Sequence, residues 1–222
     1  MRVLVACEES QEVCKAFRAK GHEAYSCDIQ ECSGGHPEWH IQGDCLPLLN
    51  GNCEFITMDG KAHSIDGRWD LIGAHPPCTY LSNAGACRLY PHKGEINIDR
   101  YNKGMEGKSF FMKFYNANCD KIYVENPVPS KVFNLPPYTQ IIQPYEFGHP
   151  YTKKTCLWLK GLPALQPTEI VEPIGSYVCG NSKQWKEMAA NGEVIGKEKS
   201  VKHRSKTFTG VALAMADQWS EV

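Results

Sequence analysis

Asp70-Leu71-Ile72-Gly73-Ala74-His75-Pro76-Pro77-Cys78-Thr79-Tyr80 is the stretch on which the reading of this chain turns. Leu71 to Ala74 form a short apolar run of the kind that a parallel sheet buries on both faces. Pro76 and Pro77 have no N–H to donate, and each pushes the residue before it out of the helical region, so the strand ladder must stop there. Cys78 is then delivered on a rigid loop at a strand's carboxyl end, where open α/β sheets place their ligands. A thiol in that place is a candidate nucleophile if its surroundings lower its pKa. The plainer reading is a buried loop cysteine in a cysteine-rich chain.

Upstream, residues 2–6 (RVLVA) read as a strand, and Val13, Ala16 and Phe17 recur at helical spacing before a stop at Gly21. Residues 23–27 (EAYSC) read as a second strand that ends in Asp28. A strand, helix and strand followed by an acid is the plan of a nucleoside-binding half, in which the acid accepts hydrogen bonds from ribose hydroxyls. A helix cap or solvated turn acid is the alternative for Asp28. The first turn, Ala6-Cys7-Glu8-Glu9-Ser10, lacks the glycines that let a backbone approach a pyrophosphate. Two acids there suit a neutral or cationic ligand better than a dinucleotide. Gly43-Asp44 closes a third predicted strand and aims a second acid at the same edge. Residues 55–65 carry a hairpin signal around Met58-Asp59-Gly60-Lys61.

Downstream, residues 81–101 are polar and irregular, long enough for a substrate loop. Residues 103–118 are predicted as the best helix, with Phe110, Phe111, Phe114 and Tyr115 on its buried side. Ile122-Tyr123-Val124 then repeats the earlier pattern: an apolar strand that ends at Glu125-Asn126-Pro127. Residues 140–147 and 155–159 read as closing strands, 183–190 as a short helix, and 210–219 as a final helix packed near the first strand. The run Lys197, Lys199, Lys202, His203, Arg204 and Lys206 is the most basic in the chain. It suits phosphates, although such a run is commonly just a solvated face.

The totals suit one globular domain: 222 residues, 42% hydrophobic and 22% charged. A net charge of −1 gives no global pull toward nucleic acid, so any such contact must be local. Eleven cysteines, an odd number, with no leader-like opening, predict reduced thiols in a cytoplasmic setting. No apolar run approaches the ~18 residues of a membrane span. Cys27, Cys32, His36, His40, Cys45 and Cys53 invite a zinc reading, but there is no CxxC pair and no closed-site spacing, so no metal is expected.

The series Asp28, Gly43-Asp44, Pro76-Pro77-Cys78 and Glu125-Asn126-Pro127 resembles that of the DNA cytosine-5 methyltransferases, and most resembles their short, phage-type members. Gly148-His149-Pro150 with Lys153-Lys154 sits where that family carries a basic segment. The resemblance implies a Rossmann-like methyltransferase fold, a mostly parallel sheet flanked by helices. It would comprise a core scaffold over residues 1–160, an irregular basic segment over 161–205 and a closing helix over 206–222. It implies S-adenosylmethionine as methyl donor, DNA as partner and the cytoplasm of a bacterial host as setting. Catalytic roles would fall to Cys78, Glu125, Asn126 and Lys154. Cofactor contacts would fall to Glu8 (or Glu9), Asp28, Asp44 and Pro76. About sixty residues follow residue 160, too few for the family's large target-recognition domain, so base choice would come from residues 81–101 or from a protein partner. The same shortfall supports an alternative: an enzyme of this scaffold acting on a free pyrimidine nucleotide or a modified base. A catalytically silent nucleic-acid-binding relative is the third reading.

Overall fold

The computed structural model describes residues 1–177 and 205–221. The predicted helix at 183–190 and the basic residues 197–204 lie outside the described residues. A seven-stranded sheet organises the chain. Its strands are β1 (Arg2–Ala6), β2 (Glu23–Asp28), β3 (His40–Gln42), β6 (Leu71–Ala74), β7 (Ile122–Pro127), β8 (Gln140–Ile142) and β9 (Thr155–Lys160). In space they run β3-β2-β1-β6-β7-β9-β8. The five from β3 to β7 are parallel, and β9 is antiparallel to both of its neighbours. The missing pair, β4 (Cys53–Ile56) and β5 (Ala62–Ile65), forms the predicted hairpin as a separate two-stranded sheet.

Strand alternation sorts side chains onto two faces, and the sequence supplies an apolar set for each. Val3, Val5, Leu71 and Tyr123 face α1 (Glu12–Ala19) and α4 (Thr209–Trp219), where Phe17, Met215 and Trp219 are fully buried. Leu4, Ala6, Ile72 and Val124 face α3 (Ile98–Tyr115), packing with Phe111, Phe114 and Trp158. α4 packs on α1 and on the same sheet face as β1, its Thr209 hydroxyl donating to Glu12. Lys20 pairs with Asp217 across the two helices.

Several predicted elements differ from the structure. The long helix begins at Ile98 and ends at Tyr115, because Asn97 caps it by accepting from the Arg100 N–H at 3.0 Å. Of its four predicted core aromatics, Phe111 and Phe114 are buried, while Phe110 and Tyr115 are half-buried. Residues 140–147 are not one strand. β8 stops at Ile142, and Pro144 opens a 3-10 turn (Pro144–Glu146) in which Gln143 and Glu146 cap each other. β7 runs three residues beyond its predicted end, because β9 pairs with it through Pro127↔Thr155. Residues 81–101 are partly folded. A turn at Asn83–Gly85 and α2 (Ala86–Leu89) anchor Leu81 and Leu89 in the core.

Gly73 is required by packing. A Cβ at Gly73 would run into the ring and hydroxyl of Tyr123, its register partner on β7. Gly73→Ala is expected to destabilise the fold by roughly 1–3 kcal/mol through overpacking. Urea unfolding measures the loss, and an unchanged midpoint would mean that Tyr123 moves aside freely.

Candidate active site at the switch point of the sheet

Strand order reverses between β1 and β6: β2 and β3 extend one way from β1, and β6 and β7 the other. In open α/β sheets the crevice outside the carboxyl ends at such a point is where ligands bind. The turn 7–11 and the stretch His75-Pro76-Pro77-Cys78 emerge there, next to the end of β7.

Two hydrogen-bonded links hold the ends of β6 and β7 together, one on each face. Asn126 is 1% exposed, and its Nδ2 donates to the Pro76 carbonyl at 2.8 Å. On the other face, His75 Nδ1 lies 3.0 Å from Glu125 Oε2, and His75 Nε2 lies 3.0 Å from the Tyr123 hydroxyl. The loops beyond are knitted as well. Asn83 N–H donates to the Val128 carbonyl and Ser130 N–H to that of Leu81. Amides of Leu81 and Ser82 both donate to the Cys78 carbonyl, curling the chain just after the cysteine. Cys78 is half-buried. Arg100 donates to the Thr79 carbonyl at 2.7 Å, and Arg100 and Lys103 both lie over the Tyr80 ring.

Glu125 is deeply set. Burial would push its pKa up, but the His75 hydrogen bond and the charge of Lys153 outweigh this and hold it below the ordinary value. Lys153 lines a narrow cavity with Glu125, Ile142, Phe208 and Met215. Lys154, the residue selected from sequence, is exposed and is not among that cavity's lining residues. Adjacent lysines diverge here because the chain is extended on its way into β9. His149 accepts from the Gly210 N–H at 2.9 Å and so fastens the start of α4.

At the β1 side, the turn achieves without glycine what glycine normally supplies. Cys7 and Gln11 adopt left-handed conformations, with φ 58° and 59°. Gln11 is held by its side chain, which donates to Ser26 Oγ and the His36 carbonyl and accepts from the His36 N–H. Glu8 and Glu9 differ in what they do. Glu8 accepts from the Val13 and Cys14 amides at 2.6 and 3.2 Å, closing the open N-terminus of α1. Glu9 is 8% exposed, and its buried Oε2 has no hydrogen-bond partner among the described residues. Asp28 and Asp44 lie at the carboxyl ends of β2 and β3. Each uses only Oδ1 to brace its own turn, accepting from the amides of Gln30 and Leu46.

Three thiols add a feature unforeseen from sequence: Cys7, Cys27 and Cys45 meet at the ends of β1, β2 and β3. Cys7 and Cys45 sulfurs are 3.9 Å apart, and Cys27 contacts the Gly43 carbonyl. The contact with Cys45 and burial push the Cys7 and Cys27 thiols up. Among the described residues no group of three His, Cys, Asp or Glu side chains could hold a metal ion. His40 is instead bonded to Ser26 and the Gln30 carbonyl, and His36 stacks on Trp39.

Burial pushes Glu8 up to about 7, against the field of His75 and the two amide bonds. Its pKa is therefore higher folded than unfolded, and the stability it contributes at low pH fades as pH rises from about 4.5 through about 7. Relative to Glu8→Gln, the wild type should lose roughly 3 kcal/mol across that window. Urea unfolding at pH 5 and pH 8 gives the comparison, and a pH-independent difference would contradict the assignment. The chain matches no protein-family model and no curated protein.

Proposed function

We propose that the protein transfers a methyl group from S-adenosylmethionine to C5 of cytosine, through a covalent adduct between Cys78 and C6 of the ring. One observation supports the reading: neighbouring parallel strands give way to prolines at the sheet's carboxyl edge, and the His75–Glu125 and Asn126–Pro76 hydrogen bonds tie the stretch that leads to Cys78 to the strand end that carries Glu125.

The chemistry requires these residue types together. C5 of cytosine is a poor nucleophile. Addition of the Cys78 thiolate to C6 pushes the C5–C6 electron pair onto C5 while a proton taken up on Glu125 with the substrate passes to N3, leaving an enamine. S-adenosylmethionine supplies the electrophilic methyl that C5 then takes. Loss of the C5 proton to water re-forms the C5–C6 double bond and expels the thiolate, and the N3 proton returns to Glu125, which restores the ring. Asn126 holds the Pro76 carbonyl and so the approach of the Cys78 loop. A base in duplex DNA would have to leave the stack to reach Cys78. Arg88, Lys93 and Lys103, on and beside residues 81–101, are exposed cations suited to the flanking phosphates.

The cofactor edge fits a cationic nucleoside. Glu9 has a buried carboxylate oxygen in need of a donor, which an ammonium or sulfonium would satisfy. Of the two acids in the turn, Glu9 is the better ligand, since Glu8 serves α1. Asp28 suits the ribose hydroxyls and Asp44 the adenine amino group. Ile29, 78% exposed beside Asp28, offers an apolar surface to the base.

Labelled S-adenosylmethionine incubated with duplex DNA, single-stranded DNA and dCMP tests the function and chooses its substrate. Label is expected in cytosine C5 of a polynucleotide. Transfer to dCMP alone would favour the free-nucleotide enzyme, and calorimetry without S-adenosylmethionine binding at millimolar concentration would end the methyltransferase reading. Glu125→Gln should retain cofactor binding and lose roughly 10²–10⁴-fold in transfer. A wild-type rate would remove Glu125 from the chemistry.

A further inference from the structure

We propose that His75 is a positioning residue for Glu125: it holds one carboxylate oxygen so that the other faces the substrate, and Tyr123 locks its tautomer. The inference rests on the methyl-transfer reading for its catalytic consequence, but its geometry stands on the fold alone.

Strand alternation places Gly73 and His75 on the same face of the β6 stretch as Tyr123 and Glu125 on β7. Gly73, without a Cβ, lets the Tyr123 ring lie over it, and this brings the phenol within 3.0 Å of His75 Nε2. Both ring nitrogens are therefore engaged in a place that excludes water, the side chains of His75 and Glu125 being 8% and 15% exposed. An ionised carboxylate can only accept, so the nitrogen facing Glu125 Oε2 must carry hydrogen. A neutral imidazole then has a bare Nε2, which accepts from the Tyr123 O–H. Burial pushes that phenol well above its ordinary pKa, so the donor is kept. With Oε2 held by Nδ1–H in the free protein, Oε1 is the oxygen left to take up a proton from water as the substrate enters and to pass it to N3. When that proton departs, the Nδ1–H···Oε2 bond stabilises the carboxylate formed. When the thiolate is expelled, the same carboxylate takes the proton back, so no net proton is consumed by the pair.

The charged and titratable groups facing this trio come from four elements. Glu8 faces His75 and Tyr123 from the turn after β1. Cys14 on α1 faces Tyr123, Lys153 faces Glu125 from before β9, and Cys156 on β9 is pushed up by burial and by Glu125. No other residue among those described donates a hydrogen bond to the Glu125 carboxylate. A glycine or alanine at position 75 would leave Oε2 to the Lys153 charge alone.

Nitrogen-15 NMR of the wild-type protein, without substrate, reads the tautomer directly. The expected signal is a protonated Nδ1 and an unprotonated Nε2, lost on Tyr123→Phe. A protonated Nε2 with bare Nδ1 overturns the proposal whether or not the enzyme is active. In methyl-transfer assays His75→Ala should lower kcat about 10–100-fold with little change in KM. It should also move the alkaline limb of the kcat profile up by about one pH unit, because Glu125 loses its donor. His75→Asn, whose amide nitrogen replaces Nδ1–H, should restore most of the rate. An unchanged pH profile in folded His75→Ala would overturn the proposal. A wild type inactive on every cytosine substrate, with the expected tautomer present, would instead overturn the methyl-transfer reading.

Discussion

Two adjacent parallel strands, β6 and β7, both give way to proline at the sheet's carboxyl edge, and much of the candidate site follows from that. A proline cannot extend the ladder as a donor, so β6 leaves the sheet at Ala74 and β7, still paired with β9, at Pro127. The backbone groups released there need partners. The Pro76 carbonyl finds Asn126, and the loops beyond find each other through Asn83, Val128, Leu81 and Ser130. A loop that would otherwise be free is therefore pinned on both sides, which is what a positioned nucleophile requires.

Much of this edge was legible in the sequence, because apolar runs of four to six residues that stop at Pro, Asp or Glu have few other interpretations. β2, β6 and β7 are legible that way, β1 as a compact apolar run, and the hairpin from its Met58-Asp59-Gly60-Lys61 turn. What could not be read depends on which face a side chain takes at long range. The sequence assigns His75 no partner on β7, and only the Gly73–Tyr123 packing reveals why it meets Glu125. Lys153 and Lys154 are indistinguishable as a dipeptide, while the turn into β9 sends only Lys153 to the cavity. Residues 140–147 misled because an apolar, β-branched start outweighed Pro144 in the middle. The early start of α3 was hidden by Asn97, a cap lying in a stretch that otherwise reads as loop.

The other half of the crevice shows two neighbouring acids put to different uses. Glu8 is consumed by the helix it precedes, as the unsatisfied amides at a helix start demand. Glu9 Oε2 is buried without such a partner among the described residues, an arrangement that costs stability unless another group completes it. The left-handed Cys7 and Gln11 add to that cost, by roughly 1–2 kcal/mol each. Strain and an unpaired carboxylate in one five-residue turn are features that concentrate where proteins bind ligands.

The central claim is that Cys78 attacks C6 of cytosine. DNA carrying 5-fluorocytosine tests it most directly, because fluorine at C5 cannot leave as a proton does and the adduct is trapped after methyl transfer. The account predicts a covalent protein–DNA species that forms only with S-adenosylmethionine, maps by mass spectrometry to the peptide bearing Cys78, and is absent from Cys78→Ser. An adduct on any other cysteine, or one that persists in Cys78→Ser, would contradict it.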